Sequence, residues 1–434
     1  MPALRLALAA LLATGAIASQ AIAQADPKFR ADGPEAEFYG QSRGYPMCTG
    51  LAYLNDTGCR VGAFSNYGTL FPSRAIRAAP QASPLKRAER DLQVQYRHEG
   101  AGRTLDDYLN ARPTTGLLIA RGDTILAERY QYGRNDRHPM TSFSMAKTIV
   151  GLLIGIALEQ GAIRSIDDEA ATYVPELKDT EYGRTPIKAL LLMSSGVAFS
   201  EQYNNPSSDI YTLARLTLQQ DPAGSVEAVK RFNTRRAPPG TSFSYSSAES
   251  VVLGLVLSRA TGRTVADYAS EKLWQPLGAE AGASWNIDAQ GHEVTYASYN
   301  AVLRDWARLG LMLAHGGAWN GRQVVPESWV KASTTVQPDW PVPTYGYHCA
   351  GCGGFDLVRP MSQAGEPAQC PGCGESGRRV FGAPSLRSVD PALTRALDAS
   401  ARTAESPGVV DRVPSSRHRT RYTSDPRHLR LPRP

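Results

Sequence analysis

Hydrophobic and polar positions follow several rhythms along the chain, and each predicts a different element. From Gly116 to Tyr130 two apolar runs flank the polar triplet Arg121-Gly122-Asp123, the pattern of two strands joined by a hairpin. Thr148 to Leu158 is apolar almost throughout and too long for a strand, which predicts a buried helix. Asp305 to Leu313 is amphipathic at helical spacing and is followed by Gly316-Gly317, a stop signal. Helical spacing also runs from Leu85 to Ala111, ending in Leu105-Asp106-Asp107-Tyr108-Leu109. Between Ile166 and Gly278 helical stretches, including the apolar Val251 to Leu257, are punctuated by Pro and Gly. Residues 26–84 are rich in Gly, Pro and Ser and predict an irregular N-terminal segment. A strand pair, a buried helix and a helical region form an α+β plan.

Composition changes this picture at the two ends. With 434 residues, 42% hydrophobic and 20% charged, the chain can bury an enzyme-sized core beside a smaller unit. The net charge of +6 owes much to arginines crowded beyond Ser376, among them Arg417, Arg419, Arg421, Arg427, Arg430 and Arg433. Such a tail reads as a solvated, disordered end, with nucleic-acid binding the lesser alternative. At the other end Arg5 precedes an apolar stretch, Leu6 to Ala18. Small-x-small sequences follow at Ala21-Ile22-Ala23 and Ala23-Gln24-Ala25. That is the pattern of a signal peptide, and the expectation is export to a bacterial periplasm. In an oxidising compartment Cys48 and Cys59 would pair across the turn-rich Asn55-Asp56-Thr57-Gly58, the alternative being two free thiols.

Candidate chemistry begins with Ser-x-x-Lys, which occurs at Ser83–Lys86, Ser144–Lys147 and Ser328–Lys331. Ser83 precedes a proline and a charged run, which predicts a solvated surface, and Ser328 falls in a short surface helix. Only Ser144 opens an apolar helix directly after a hairpin. Residues three apart share a helix face, so Lys147 can reach Ser144. The positive helix N-terminus favours a developing alkoxide, and an amine set among Ile149, Val150 and Leu152 can serve as its base. The bland alternative is a capping serine followed by a lysine that snorkels to water. Downstream, Tyr245 lies on a loop just before the helix around Val251, where a phenol could relay protons.

These motifs resemble the serine β-lactamase-related family, near its class C-like esterases and 6-aminohexanoate-dimer hydrolases. The resemblance rests on Ser144-x-x-Lys147, Pro239-Gly240-x-x-Phe243-x-Tyr245-Ser246 and Leu273-Trp274-x-Pro276-Leu277-Gly278. It continues through Arg304-Asp305-x-Ala307-Arg308-x-Gly310 and Gly316-Gly317…Val324-Val325-Pro326. It implies an acylated Ser144, Lys147 as its base and Tyr245 as proton relay, with an antiparallel sheet packed on a helical domain. Where many relatives have Asn after Tyr-Ser, this chain has Ser247, which weakens a β-lactamase reading and leaves other amides or esters open. The family's third motif, Lys-Thr-Gly-like, and the late strand that supplies an oxyanion donor find no match after Val330.

Instead Cys349-x-x-Cys352-Gly353 and Cys370-x-x-Cys373-Gly374 follow. Two such pairs are the ligand pattern of a structural zinc site, which leaves the metal no open position for chemistry. With Pro343-Thr344-Tyr345 before them and Gly377-Arg378-Arg379-Val380-Phe381 after, they resemble FmdB-type zinc ribbons, to which a regulatory role is assigned.

The resulting organisation is a signal peptide (1–25), an irregular segment (26–84) and a β-lactamase/transpeptidase-like hydrolase lacking its C-terminal strands (85–340). A zinc ribbon (343–384) and a short helix with a disordered basic tail (385–434) complete it. The expected function is an exported acyl-serine hydrolase acting on small amides or esters, with a protein partner conceivable for the ribbon. The alternative is a catalytically inactive remnant fused to a zinc-ribbon regulatory module.

Overall fold

The computed structural model describes residues 28–98, 100–334, 346–348 and 381–382. The signal-peptide stretch, the cysteines Cys349, Cys352, Cys370 and Cys373, and residues 385–434 lie outside the described residues.

The strands in chain order are β1 (Ser73–Ile76), β2 (Lys86–Arg87), β3 (Gln95–His98), β4 (Ala101–Thr104), β5 (Gly116–Arg121) and β6 (Thr124–Tyr130). They continue as β7 (Pro139–Thr141), β8 (Ala283–Asn286), β9 (Tyr299–Val302), β10 (Ala318–Trp319), β11 (Arg322–Gln323) and β12 (Phe381–Gly382). The helices are α1 (Arg60–Ser65), α2 (Tyr67–Leu70), α3 (Leu105–Ala111), α4 (Met145–Glu159), α5 (Ile187–Leu191) and α6 (Asp209–Thr217). After these come α7 (Gly224–Lys230), α8 (Ser247–Thr261), α9 (Val265–Ala269), α10 (Leu303–Ala314) and α11 (Glu327–Thr334). Among the described residues two four-stranded sheets form, one ordered β1-β8-β9-β7 and the other β12-β5-β6-β2.

The hairpin expected at Arg121-Gly122-Asp123 forms, with Leu117 opposite Arg129 and Leu118 opposite Glu128. Its period-two alternation divides its side chains between two cores. Leu118 and Ile125 face the main core, whereas Leu117, Ile119 and Leu126 pack with Leu105, Tyr108 and Leu109 of α3. Burial on both faces explains why β5 reads as a continuous apolar run. The helix predicted from Leu85 to Ala111 is confined to α3. Thr104 accepts from the Asp107 N–H while the Asp107 carboxylate accepts from the Thr104 N–H. This capping box starts the helix there, and the residues before it pair as β2, β3 and β4.

Helices α4 and α8 form the centre of the helical layer, and thirteen of the fifteen α4 residues, Met145 to Ala157, are buried. The N-terminal segment is more ordered than its composition predicts. Tyr53, Cys59, Ala63, Tyr67, Phe71 and Ile76 join the main core, β1 pairs with β8, and Cys48 is bonded to Cys59. Ser83 is not at a solvated surface: it is buried. Its Oγ donates to the Leu277 carbonyl at 3.0 Å and accepts from Trp319 Nε1 at 2.9 Å. Its carbonyl accepts two bonds from the buried Arg308 guanidinium. A proline and charged neighbours foretell exposure only when no distant partner claims the backbone.

The main core also continues past the expected boundary at 340. Tyr347 lies on Trp329 with ring centroids 5.1 Å apart, and His348 is 2% exposed. The edge of β5 that the absence of late strands would leave open is paired over two residues. Phe381 and Gly382 oppose Leu118 and Leu117 in antiparallel register. An unpaired edge is a template for any strand that can reach it, and here the segment following the last cysteine pair reaches it.

Candidate active site

The chain enters the site along β7, which pairs with β9. Just beyond, the Ser142 N–H donates to the Tyr299 carbonyl at 2.7 Å, and Ser142 Oγ donates to the Phe143 carbonyl at 2.8 Å. Phe143 then takes a positive φ of 42°, and the chain turns into α4 with Ser144 at its N-cap. The Ser144 side chain makes no capping bond. Its Oγ lies 3.1 Å from Lys147 Nζ.

Lys147 is 2% exposed, so it does not snorkel. Its Nζ donates to the Tyr296 carbonyl at 3.0 Å. The same nitrogen lies 4.9 Å from the Tyr245 ring centroid and 5.8 Å from that of Tyr296, a cation–π arrangement on two sides. Ser144, Lys147 and Tyr245 thus come together, though 98 residues separate Lys147 from Tyr245 in the sequence numbering. Ser83 and Ser328 do not join them: the first is committed to Leu277 and Trp319, and the second is exposed on α11.

Several supporting residues carry no local motif. Tyr296 contributes through its carbonyl, which any residue has, so only tertiary structure reveals it. Glu201 accepts from the Ser247 N–H at 2.6 Å and from Ser247 Oγ at 2.8 Å, placing a carboxylate at the N-terminus of α8. It also accepts from the Tyr203 hydroxyl at 2.5 Å. Ser247 is therefore held away from solvent by an acid.

His348 bridges three helices of the site. Its Nδ1 donates to the Leu191 carbonyl at 3.1 Å, which leaves Nε2 to accept from Ser250 Oγ at 2.9 Å. Its own carbonyl accepts from Thr148 Oγ1 at 3.0 Å. Burial, followed by the Lys147 charge, pushes its pKa down to about 3, so the ring is neutral. Glu249, in the first turn of α8, is also fully buried. It accepts from the Ser195 N–H and Oγ at 3.2 and 2.6 Å, while its Oε2 has no partner among the described residues. Burial pushes its pKa up to about 8, which keeps it protonated at neutral pH.

An antiparallel sheet against a helical layer, with a serine and a buried amine at the head of the central helix, is the β-lactamase/transpeptidase-like arrangement of a hydrolase. The chain belongs to the beta-lactamase family, whose model matches residues 101–355. It also carries a zinc ribbon domain, matched over residues 343–381. The 6-aminohexanoate-dimer hydrolase of Paenarthrobacter ureafaciens is 30% identical over 278 residues, covering 62% of this chain and 68% of that protein. A solved Bacillus anthracis structure, assigned as a 6-aminohexanoate-dimer hydrolase, is 25% identical with a TM-score of 0.60. It covers 68% of this chain and 80% of its own. Over the ribbon, the FmdB protein of Methylophilus methylotrophus is 32% identical across 71 residues, 16% of this chain and 63% of that protein.

Proposed function

We propose that this chain is an exported acyl-serine hydrolase acting on small amides or esters, with Ser144 as nucleophile, Lys147 as its base and Tyr245 as proton relay. The observation that carries this reading is the 3.1 Å approach of Lys147 Nζ to Ser144 Oγ beneath the Tyr245 ring. With Lys147 in its uncharged amine form, Ser144 Oγ attacks the substrate carbonyl carbon and its proton passes to Lys147 Nζ. The negative charge then developing on the carbonyl oxygen faces the Ser144 N–H at the positive end of α4. Collapse expels the leaving amine or alcohol, which takes a proton relayed from Lys147 by Tyr245. Water, activated by the same pair, then hydrolyses the acyl-Ser144 ester. Amide and ester substrates are supported by the similarity to 6-aminohexanoate-dimer hydrolases.

The ribbon supplies no step. Four thiolates in two Cys-x-x-Cys pairs are a donor set suited to one tetrahedral zinc, and Cys349, Cys352, Cys370 and Cys373 would hold it as a structural ion. Export is supported by the N-terminal pattern and by the bonded Cys48 and Cys59. A second reading, a catalytically inactive remnant, draws support from β12. Among the described residues that strand spans two positions, and no late strand next to Ser144 is found.

A fluorophosphonate probe followed by peptide mapping decides between them. Labelling at Ser144 supports the enzyme. An unlabelled, folded chain supports the remnant. Metal analysis of the chain purified from cytosolic expression, with about one zinc expected per molecule, tests the ribbon; after export to an oxidising space the same thiols would pair as disulfides instead.

A further inference from the structure

Phe143, the residue before Ser144, occupies the left-handed region at φ 42°, where a side chain with a Cβ stays only if its surroundings hold it. One restraint comes from the sheet, through Ser142 and Tyr299. A second comes from the N-terminal segment. The Phe64 ring meets Phe143 edge to face with centroids 4.9 Å apart, and the Tyr67 ring meets it at 6.0 Å. Both rings are braced by Tyr53, which packs on Phe64 at 5.7 Å and on Tyr67 at 5.6 Å. The Tyr53 and Tyr67 hydroxyls share a hydrogen bond of 2.6 Å. Tyr53 lies inside the loop closed by Cys48 and Cys59, and α1, which carries Phe64, begins at the residue after Cys59.

We propose that the segment from Cys48 to Tyr67, whose first part is closed by the Cys48–Cys59 bond, is a positioning element for the nucleophile. The Cys48–Cys59 bond holds Tyr53 and α1, these hold Phe64 and Tyr67 against Phe143, and Phe143 fixes the backbone that presents Ser144. Closing the loop covalently removes alternative placements of its residues, so rigidity is passed through aromatic contacts to a strained turn. The inference rests on Ser144 being the nucleophile and adds a role for a segment that contributes no reacting group.

The test compares the Cys48→Ser/Cys59→Ser double variant, Phe64→Ala, Phe64→Tyr and the Cys48→Ser/Cys59→Ser/Phe64→Ala triple variant by two readouts. One is amide hydrogen exchange of the peptide spanning residues 141–147; the other is the second-order rate of fluorophosphonate labelling at Ser144. The double variant and Phe64→Ala should each speed exchange in that peptide and slow labelling about tenfold to a hundredfold. Exchange in α6 should stay unchanged, and Phe64→Tyr, which keeps the ring, should restore both readouts. The triple variant should be no slower than the worse of its parents, because the two changes act through one contact. Unchanged exchange at residues 141–147, or losses that multiply in the triple variant, would overturn the proposal. Failure of the unsubstituted chain to label would instead refute the nucleophile assignment, while the exchange readout would still decide the positioning role.

Discussion

The Tyr296 carbonyl accepts a hydrogen bond from Lys147 Nζ at 3.0 Å, across a sequence separation of 149 residues. With Tyr245 against the same nitrogen, two segments distant from α4 aim one amine at Ser144.

Ser144→Ala is expected to abolish ester hydrolysis, and Lys147→Ala to come close, each costing about a thousandfold or more in kcat because nucleophile and base act as a unit. Tyr245→Phe keeps the ring over Lys147 but removes the phenol, with an expected loss of about a hundredfold. Steady-state assays on a chromogenic ester, with circular dichroism to confirm folding, check all three. Wild-type rates for Tyr245→Phe would remove the tyrosine from proton transfer.

Ser83→Ala should leave kcat near the wild-type value yet lower stability by about 1–3 kcal/mol, because Trp319 Nε1 loses its buried acceptor. Ser328→Ala, on the exposed face of α11, should stay within about 0.5 kcal/mol. Urea titration measures both. Equal losses of activity from Ser83, Ser144 and Ser328 substitutions would point to misfolding and sink the assignment of Ser144.

The two buried titratable groups of α8 and its neighbour act in opposite directions with pH. His348 binds its proton near 6.5 when unfolded but only near 3 in the fold, so its contribution is complete above 6.5 and is lost as pH falls. Glu249 ionises near 4.5 when unfolded but near 8 in the fold, so its contribution is complete below 4.5 and is lost as pH rises. Between those unfolded values the slopes oppose, each at most about 1.4 kcal/mol per pH unit. Glu249→Gln should therefore unmask a stability that climbs with pH across this window, read by urea unfolding at several pH values. An unchanged profile would mean that Glu249 is not protonated in the fold.

Gly155 of α4 lies under the Trp329 indole, whose Nε1 donates to the Gly151 carbonyl at 2.9 Å. A Cβ at position 155 would sit 2.2 Å from Trp329 Cδ1, so the ring must move. Gly155→Ala should cost about 1–3 kcal/mol despite its better helix propensity, seen as a lower thermal midpoint. A stabilised variant would show that α11 can slide on α4 without penalty.

Much of this protein was legible in its sequence because the signals are local. Ser144 and Lys147 share one helix turn, the hairpin around Gly122 declares itself by two apolar runs on either side of a polar triplet, and the cysteine pairs are spaced for metal. Helical spacing before Leu105 misled, since β3 and β4 satisfy their backbones with each other and the pattern carries no record of a partner strand. Tertiary structure alone decided the rest. Ser83 is buried because Arg308, Trp319 and Leu277 converge on it from more than 190 residues away. Tyr347 and His348 sit where the ribbon resemblance begins, yet they pack into the hydrolase through Trp329, Leu191 and Ser250. A local motif records what a residue can do; burial and hydrogen bonding between remote segments determine whether it is placed to do it, and those depend on which surfaces the folded chain brings together.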